Sequence, residues 1–324
     1  MEIILQVALL IIGFIILIKG ADWLVDGASS IATNFKVSKT LIGLTIVAFG
    51  TSAPELAVSI SSLASGSTDM LLGNVIGSNI INVLLLIGVG ALICPIKVNK
   101  DTVRKELPIL LLISTALIVL FLDIPLVGDA VDAISRSDAI ICLLFFCIFL
   151  YYLIVMAKRN REITSQKAEK PKYKLGKSFL FAILGLAGLV AGSQLVVNSA
   201  TEIAHVIGVS DRIIALTIIA LGTSLPELVT TIVAARRKET DLVVGNIIGS
   251  NIFNICVVMG IPVAIFGTIT PESFQMIDLF MLIFSAVLLF ILTRRDHQIS
   301  RLDGILMLFI FALYYGYIVY GAFA

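Results

Sequence analysis

Charge is scarce in this chain. Only 14% of its 324 residues are Asp, Glu, Lys or Arg, against about 25% in an average soluble protein. Apolar residues make up 59%. A globular surface cannot be wetted with so little charge, so most of the outside must face lipid. A net charge of +1 excludes an extended basic face for nucleic acid. Cysteine and histidine are also few. Cys94, Cys142, Cys147 and Cys256 lie in or beside apolar stretches without CxxC-type pairing, which argues against a disulfide framework or a zinc centre. His205 and His297 sit apart near segment ends and form no metal or catalytic cluster. The first apolar run follows Met1-Glu2 with no basic stretch before it, so it is read as a membrane helix and not as a cleaved signal.

What the chain does have is apolar length. Runs of about 20 residues span a bilayer as helices, and ten are present: 3–18, 40–63, 70–95, 106–122, 138–157, 178–198, 213–235, 242–267, 275–293 and 302–322. The first and sixth are expected to continue, tilted, into the amphipathic stretches 19–35 and 191–207. The predicted fold is an all-α membrane protein of ten transmembrane helices. Basic residues sort onto alternate connections. The first holds Lys19, Lys36 and Lys39; the third Lys97, Lys100, Arg104 and Lys105; the fifth spans Lys158 to Lys177; the seventh holds Arg236, Arg237 and Lys238; the ninth Arg294, Arg295 and Arg301. Arg136 and Arg212 alone fall on even connections. By the positive-inside rule the odd connections are cytoplasmic and both termini extracytoplasmic in a multi-pass cell-membrane protein.

The two halves match at a fixed offset of 172 residues. LTIVAFGTSAPEL (44–56) parallels LTIIALGTSLPEL (216–228), and TDMLLGNVIGSNIIN (68–82) parallels TDLVVGNIIGSNIFN (240–254). Gly20, Val37 and Ser38 continue the match to Gly192, Val209 and Ser210. The chain therefore divides into 1–157, with its motif in 40–90, a polar cytoplasmic linker 158–177, and 178–324, with its motif in 212–262. Each half has five spans. An odd number makes the second half enter the membrane in the opposite sense, giving two inverted-topology repeats.

Glu55 and Glu227 each lie within a long apolar span. An intramembrane carboxylate is costly and points to function. No Lys or Arg occurs within 40–63, 70–95, 213–235 or 242–267, so each must be protonated or neutralised by a cation. Pro54 and Pro226 lack an N–H and crowd the carbonyl four residues back, at Gly50 and Gly222. Backbone disturbed at membrane depth is tolerated where it lines a cavity. In GNxxGSNxxN, Asn74, Ser78 and Asn82 form one polar stripe, repeated by Asn246, Ser250 and Asn254. Gly73 and Gly77, with Gly245 and Gly249, form small-residue stripes for close helix packing. Asn74 and Asn246 suit interhelical hydrogen bonds. Asp69 and Asp241 read as helix N-caps. Two carboxylates, Asn and Ser oxygens and backbone carbonyls make a hard-cation set suited to Ca²⁺, and poor for metals that seek thiolate or imidazole. A formal site charge of −2 is met by one Ca²⁺ or two Na⁺, so the two ions compete.

GTSxPE followed by GNxxGSNxxN, in two inverted copies, resembles the α-repeats of the cation/calcium antiporter superfamily, and within it the prokaryotic sodium/calcium exchangers. The resemblance implies electrogenic exchange of one Ca²⁺ for several Na⁺, usually about three, by alternating access, with the first and sixth spans sliding past the rest. It implies Glu55 and Glu227 as central ligands, with the carbonyls of Thr51 and Thr223 completing a Ca²⁺ site. Ser52, Ser224, Ser78 and Ser250, with carbonyls of Ala48 and Ala220, would form Na⁺ sites, and Asn82 and Asn254 would fill the centre. It implies no cofactor; Ca²⁺ and Na⁺ are cargo, the bilayer is the one obligatory surrounding, and a monomer suffices. Some relatives, including K⁺-dependent exchangers and certain archaeal sodium/calcium exchangers, carry Asp where Asn254 stands, so Asn on both sides argues against K⁺ coupling; proton/calcium relatives usually carry a Glu-containing motif instead. The other readings are a K⁺-dependent exchanger, a proton/calcium antiporter and a cation channel. An intramembrane enzyme lacks a base near its serines.

Overall fold

The computed structural model describes residues 2–122, 132–164, 171–207, 218, 220–270 and 276–323. The chain is a helical, multi-pass membrane protein. Helix α1 runs Glu2–Phe35, α2 Lys39–Thr51, α3 Ala53–Ala64, α4 Thr68–Ile93, α5 Leu107–Phe121 and α6 Arg136–Thr164. Then follow α7 Leu175–Val206, α8 Leu225–Arg236, α9 Thr240–Phe266, α10 Met276–Asp296 and α11 Arg301–Phe323. Seven of these are long and apolar enough to cross a membrane, and α2 with α3, bent by 42° at their junction, makes an eighth. The expected fourth span falls on the shorter α5, prolonged at its start by a π-helical turn at Thr102–Glu106. The expected seventh span appears as the single turn Ala220–Gly222 followed by α8, while its start, 213–217 and 219, falls outside the described residues.

The first and sixth spans do continue into their amphipathic stretches. Helix α1 has 34 residues and α7 has 32, so each is about 50 Å long where about 30 Å crosses the hydrocarbon. They pack antiparallel along their length. Gly13, Gly20 and Gly27 of α1 recur every seventh residue, as do Ser178, Gly185 and Gly192 of α7. A Cβ on Gly20 would come within 2.8 Å of Leu189 N and 2.9 Å of Gly185 O. A Cβ on Gly27 would meet Ala182 N at 2.6 Å. Only the missing side chain lets the two backbones touch.

Helix α9 is the centre of the bundle, with every residue from Leu242 to Phe253 buried. It lies against α2 through the expected glycine stripe. A Cβ on Gly245 would meet Thr40 O at 2.5 Å, and one on Gly249 would meet Leu44 Cα at 2.8 Å. Nothing among the described residues lies within 4 Å of a Cβ on Gly73 or Gly77. Asp69 and Asp241 are not N-caps. Both helices begin one residue earlier, at Thr68 and Thr240, behind caps Ser67 and Glu239. The carboxylates stand instead in the first turn, at the positive end of the helix dipole, and Asp241 accepts from Asn99 Nδ2 at 2.8 Å.

Connections meet at two opposite ends. Strand β1 (Ile96–Lys97) pairs antiparallel with β2 (Gln298–Ile299), joining the third connection to the ninth. Ile134 bridges Ile269, joining the fourth to the eighth. The segments after Ile134 and Ile299 both read Ser-Arg-x-Asp, and both close a capping box. Ser135 N donates to Asp138 Oδ2 at 2.8 Å, and Ser300 N to Asp303 Oδ2 at 2.8 Å. Ion pairs link odd connections to helix ends: Lys39 to Glu239 at 2.8 Å, and Arg237 to both Asp22 and Asp26. Lys172, exposed in the linker, donates to Asp26 at 2.7 Å, and this hydrogen bond holds its ammonium above the usual lysine range. Early in α10, Asp278 accepts from Tyr314 of α11 at 2.6 Å, while Glu106, just before α5, accepts from Tyr152 of α6.

Valine at Gly20 or Gly185 must push α1 off α7 and is expected to destabilise the protein by about 1–3 kcal/mol. Thermal unfolding in detergent should show a lower midpoint for both, and an unchanged one for Gly176→Ala, where no described atom lies within 4 Å.

Candidate ion-binding site

Each acidic residue sits where one helix stops and another starts. Helix α2 ends at Thr51, Ser52 adopts φ −87° and ψ 8°, and α3 begins with Pro54 in its first turn. In the second half the single turn Ala220–Gly222 ends near Thr223, Ser224 adopts φ −86° and ψ 5°, and α8 begins with Pro226 in its first turn. The prolines therefore start helices and do not bend continuous ones. At a helix start the absent N–H is no loss. Glu55 and Glu227 fall in the first turns of α3 and α8, next to the unpaired N–H groups and positive dipole ends that favour a carboxylate. Carbonyls at the end of α2 provide the opposite preference, for a cation. Both breaks end in a turn at matching positions: Gly66 and Lys238, 172 apart, close α3 and α8 in the left-handed region at φ 79° and 59°.

The two carboxylates are buried to 1% exposure and lie within coulombic reach of each other. Ser52 Oγ donates to Glu227 Oε1 at 3.0 Å, which ties the first break to the second acid. Ser224 stands toward Glu55 in the same sense, close enough to interact but short of hydrogen-bond geometry. Among the described residues no Lys or Arg pairs with either acid. Glu55 Oε2 and Glu227 Oε2 have no hydrogen-bond partner there.

Helices α4 and α9 close the other side. Asn254 Nδ2 donates to Ser78 Oγ at 3.0 Å, and Asn82 Nδ2 to Asn251 Oδ1 at 3.0 Å. Both Asn82 and Asn254 lie in π-helical turns, Ile81–Leu86 and Asn254–Met259, a local widening common at functional sites. Their donors are used and their carbonyl oxygens, Oδ1 in each, are left without partners among the described residues. Ser250 Oγ donates to Ala48 O at 3.4 Å and Thr51 Oγ1 to Asn246 Oδ1 at 3.3 Å. Asn74, expected to make interhelical bonds, donates to Glu55 O and to Ser59 Oγ, both at 3.0 Å. It thereby tethers the Glu55 turn to α4. Thr51, Ser52, Glu55, Ser78, Asn82, Ser224, Glu227, Ser250 and Asn254 are all buried. Thr223 lies beside them in a turn, and the side chain of Ala220 falls outside the described residues.

Asn251 is a participant that the motif contains but that lies one residue off the polar stripe. It bridges Asn82 and, through its own Nδ2, Asn79 O at 3.3 Å. The Asn of GSN in both copies was the available signal.

The family model "Sodium/calcium exchanger protein" matches over residues 5–155 and again over 177–320. The chain belongs to that family of membrane antiporters. It is 37% identical to the inner membrane protein YrbG of Escherichia coli strain K12, over 94% of this chain and 93% of that one. It is 31% identical to the sodium/calcium exchanger MaX1 of Methanosarcina acetivorans, over 94% and 96%. A solved structure of the sodium-calcium exchanger NCX_Mj superposes with a TM-score of 0.80 at 32% identity, covering 96% of this chain and 98% of that one. Membership in this family supports antiport of Ca²⁺ against another cation, the work of a transporter.

Removing the Asn74 tether should loosen the Glu55 turn. Asn74→Ala deletes two buried hydrogen bonds and leaves their acceptors dry, so a loss of about 2 kcal/mol in stability is expected, read as a lower unfolding midpoint in detergent.

Proposed function

We propose that the protein exchanges Ca²⁺ for Na⁺, about three Na⁺ per Ca²⁺ with net movement of charge, by alternating access to one site near the bilayer midplane. The observation that carries this reading is the set of unpaired, buried oxygens: Glu55 Oε2, Glu227 Oε2, Asn82 Oδ1 and Asn254 Oδ1. Buried acceptors that no donor meets among the described residues fit a bare, hard cation. In this reading Glu55 and Glu227 hold Ca²⁺ between them with the carbonyls of Thr51 and Thr223. Ser52, Ser224, Ser78 and Ser250, with the carbonyls of Ala48 and Ala220, hold Na⁺, and Asn82 and Asn254 complete the centre. Each ion neutralises the same two carboxylates, so a full Na⁺ load and Ca²⁺ repel one another and occupy the site in turn.

The same proposal takes the chain as ten spans in two inverted halves, 1–157 and 178–324, joined by the linker 158–177, with both termini outside a cell membrane and the monomer as the working unit. Helices α1 and α7, equivalent by the repeat offset, run antiparallel, as opposite insertion requires. The contacts between connections give further support: third meets ninth and fourth meets eighth, so each pair joins connections assigned to one side.

The test is ⁴⁵Ca²⁺ uptake into vesicles of purified protein, driven by an outward Na⁺ gradient, with and without K⁺ or a pH gradient. Uptake that needs Na⁺ alone is expected. Flux without any counter-ion would mark a channel, and flux that follows K⁺ or the pH gradient would mark the other couplings. Glu55→Gln and Glu227→Gln keep size and remove a ligand charge, so each should lower Na⁺-driven uptake by about 100-fold or more, in keeping with the few kcal/mol that a buried charged contact carries. Near-normal uptake in both would remove the carboxylates from the site.

A further inference from the structure

One face of α8 carries more than the exchange site uses. Glu227, Thr230 with Thr231, Ala234 and Arg237 follow at helical spacing from the break to the far end. From Glu227 to Arg237 is about 15 Å along the axis, half the thickness of the hydrocarbon layer. Helix α1 faces this row. Val25, Val47, Leu242 and Val243 close a narrow pocket with Thr230, Thr231, Ala234 and Asn246, and the pocket has no room for a water molecule. Three polar atoms of these lining residues have no partner among the described residues: Thr230 Oγ1, Thr231 Oγ1 and Asn246 Nδ2. All three residues are at least 98% buried. Thr51 holds the Asn246 amide by its oxygen, which leaves the nitrogen unbonded. Dry, unsatisfied groups lining a collapsed space are costly in this state and gain partners once water or an ion enters.

Directly beyond the pocket lies an ion-pair cluster. Asp22 and Asp26 flank Val25 on α1, and Arg237 reaches across from the end of α8 to bond both, with Lys172 also on Asp26. We propose that this is the cytoplasmic ion path in its shut form: a hydroxyl- and amide-lined passage from Glu227 along α8, latched at its mouth by Arg237 on Asp22 and Asp26. With the latch open, the two aspartates face the passage as cation-attracting groups. The inference rests on the exchanger reading above.

The opposite side is built differently. At the repeat offset Arg237 is replaced by Ser65, Asp22 by Gln194, Asp26 by Asn198 and Thr230 by Val58. Those residues can form no ion pair. The counterparts of Thr231 and Asn246, Ser59 and Asn74, are bonded to each other at 3.0 Å. The latch therefore stabilises one of the two access states only, the one closed to the cytoplasm.

The experiment places a cysteine at Ala234 in the full-length protein and follows its modification by a cationic, membrane-impermeant methanethiosulfonate in sealed vesicles of both orientations. Labelling of the parent protein's four native cysteines is subtracted. In the A234C protein, Arg237→Gln should speed labelling from the cytoplasmic face roughly fivefold, the size of effect expected from losing partly exposed ion pairs. Labelling from the other face should stay slow. Asp22→Asn with Asp26→Asn removes the same pairs from the other partner and should give the same rise, which covers a failure of R237Q to fold. Unchanged labelling in the folded variants, or equal labelling from both faces, overturns the latch. Na⁺-driven ⁴⁵Ca²⁺ uptake is measured on the same vesicles. Uptake retained with unchanged labelling rejects the latch alone, whereas no Na⁺-driven uptake in the parent rejects the exchanger reading itself.

Discussion

Two buried carboxylates within coulombic reach of each other, with no basic partner among the described residues, set the terms for this structure. An ionised group taken out of water loses several kcal/mol of hydration even after the protein relaxes around it, and membrane depth adds to the penalty. Lys or Arg would be the ordinary remedy, and among the described residues neither acid has one. What surrounds them is oxygen on Ser, Thr and Asn, with helix ends aimed inward. Ser52 and Ser224 break their helices at matching torsion angles so that Glu55 and Glu227 fall in first turns. Asn82 and Asn254 spend their N–H groups on neighbours and leave their oxygens over. Glycine at 245 and 249 lets α9 approach α2 closely enough for these groups to share one space.

Much of this was legible in the residues alone, for identifiable reasons. Glu55 and Glu227 stood out because charge inside an apolar run has few explanations. The doubled motif stood out because Pro, Glu, Asn and Gly at fixed positions cannot arise from apolar bias. Other features were hidden. The Ser-Arg-x-Asp caps before α6 and α11 lie 165 residues apart, so they drop out of an alignment held at 172. The heptad of Gly13, Gly20 and Gly27 is diluted among Ala and Ser that carry no periodic signal of their own. Asp69 and Asp241 were misread as caps because Thr-Asp at a helix start fits two registers, and only hydrogen bonding selects between them. Asn251 carried a signal in the doubled GSN, but its partners did not, because both contacts are with the other half of the chain.

The polar contacts outside the core follow the same division as the basic residues. Lys39, Lys172 and Arg237 meet Glu239, Asp26 and Asp22 at one end of the bundle. Strand and bridge contacts join third to ninth and fourth to eighth connections. Basic residues that sort onto alternate connections thus also supply ion pairs that tie the end of the bundle together. Two carboxylate–tyrosine contacts, Glu106 with Tyr152 and Asp278 with Tyr314, fasten neighbouring spans at equivalent acidic positions.

Helices α1 and α7 touch backbone to backbone wherever a glycine recurs, and because they run antiparallel the contact reaches from one end of the pair to the other. A side chain added at any one of these glycines would wedge the pair apart over its whole length, so the seam admits bulk nowhere without loss everywhere.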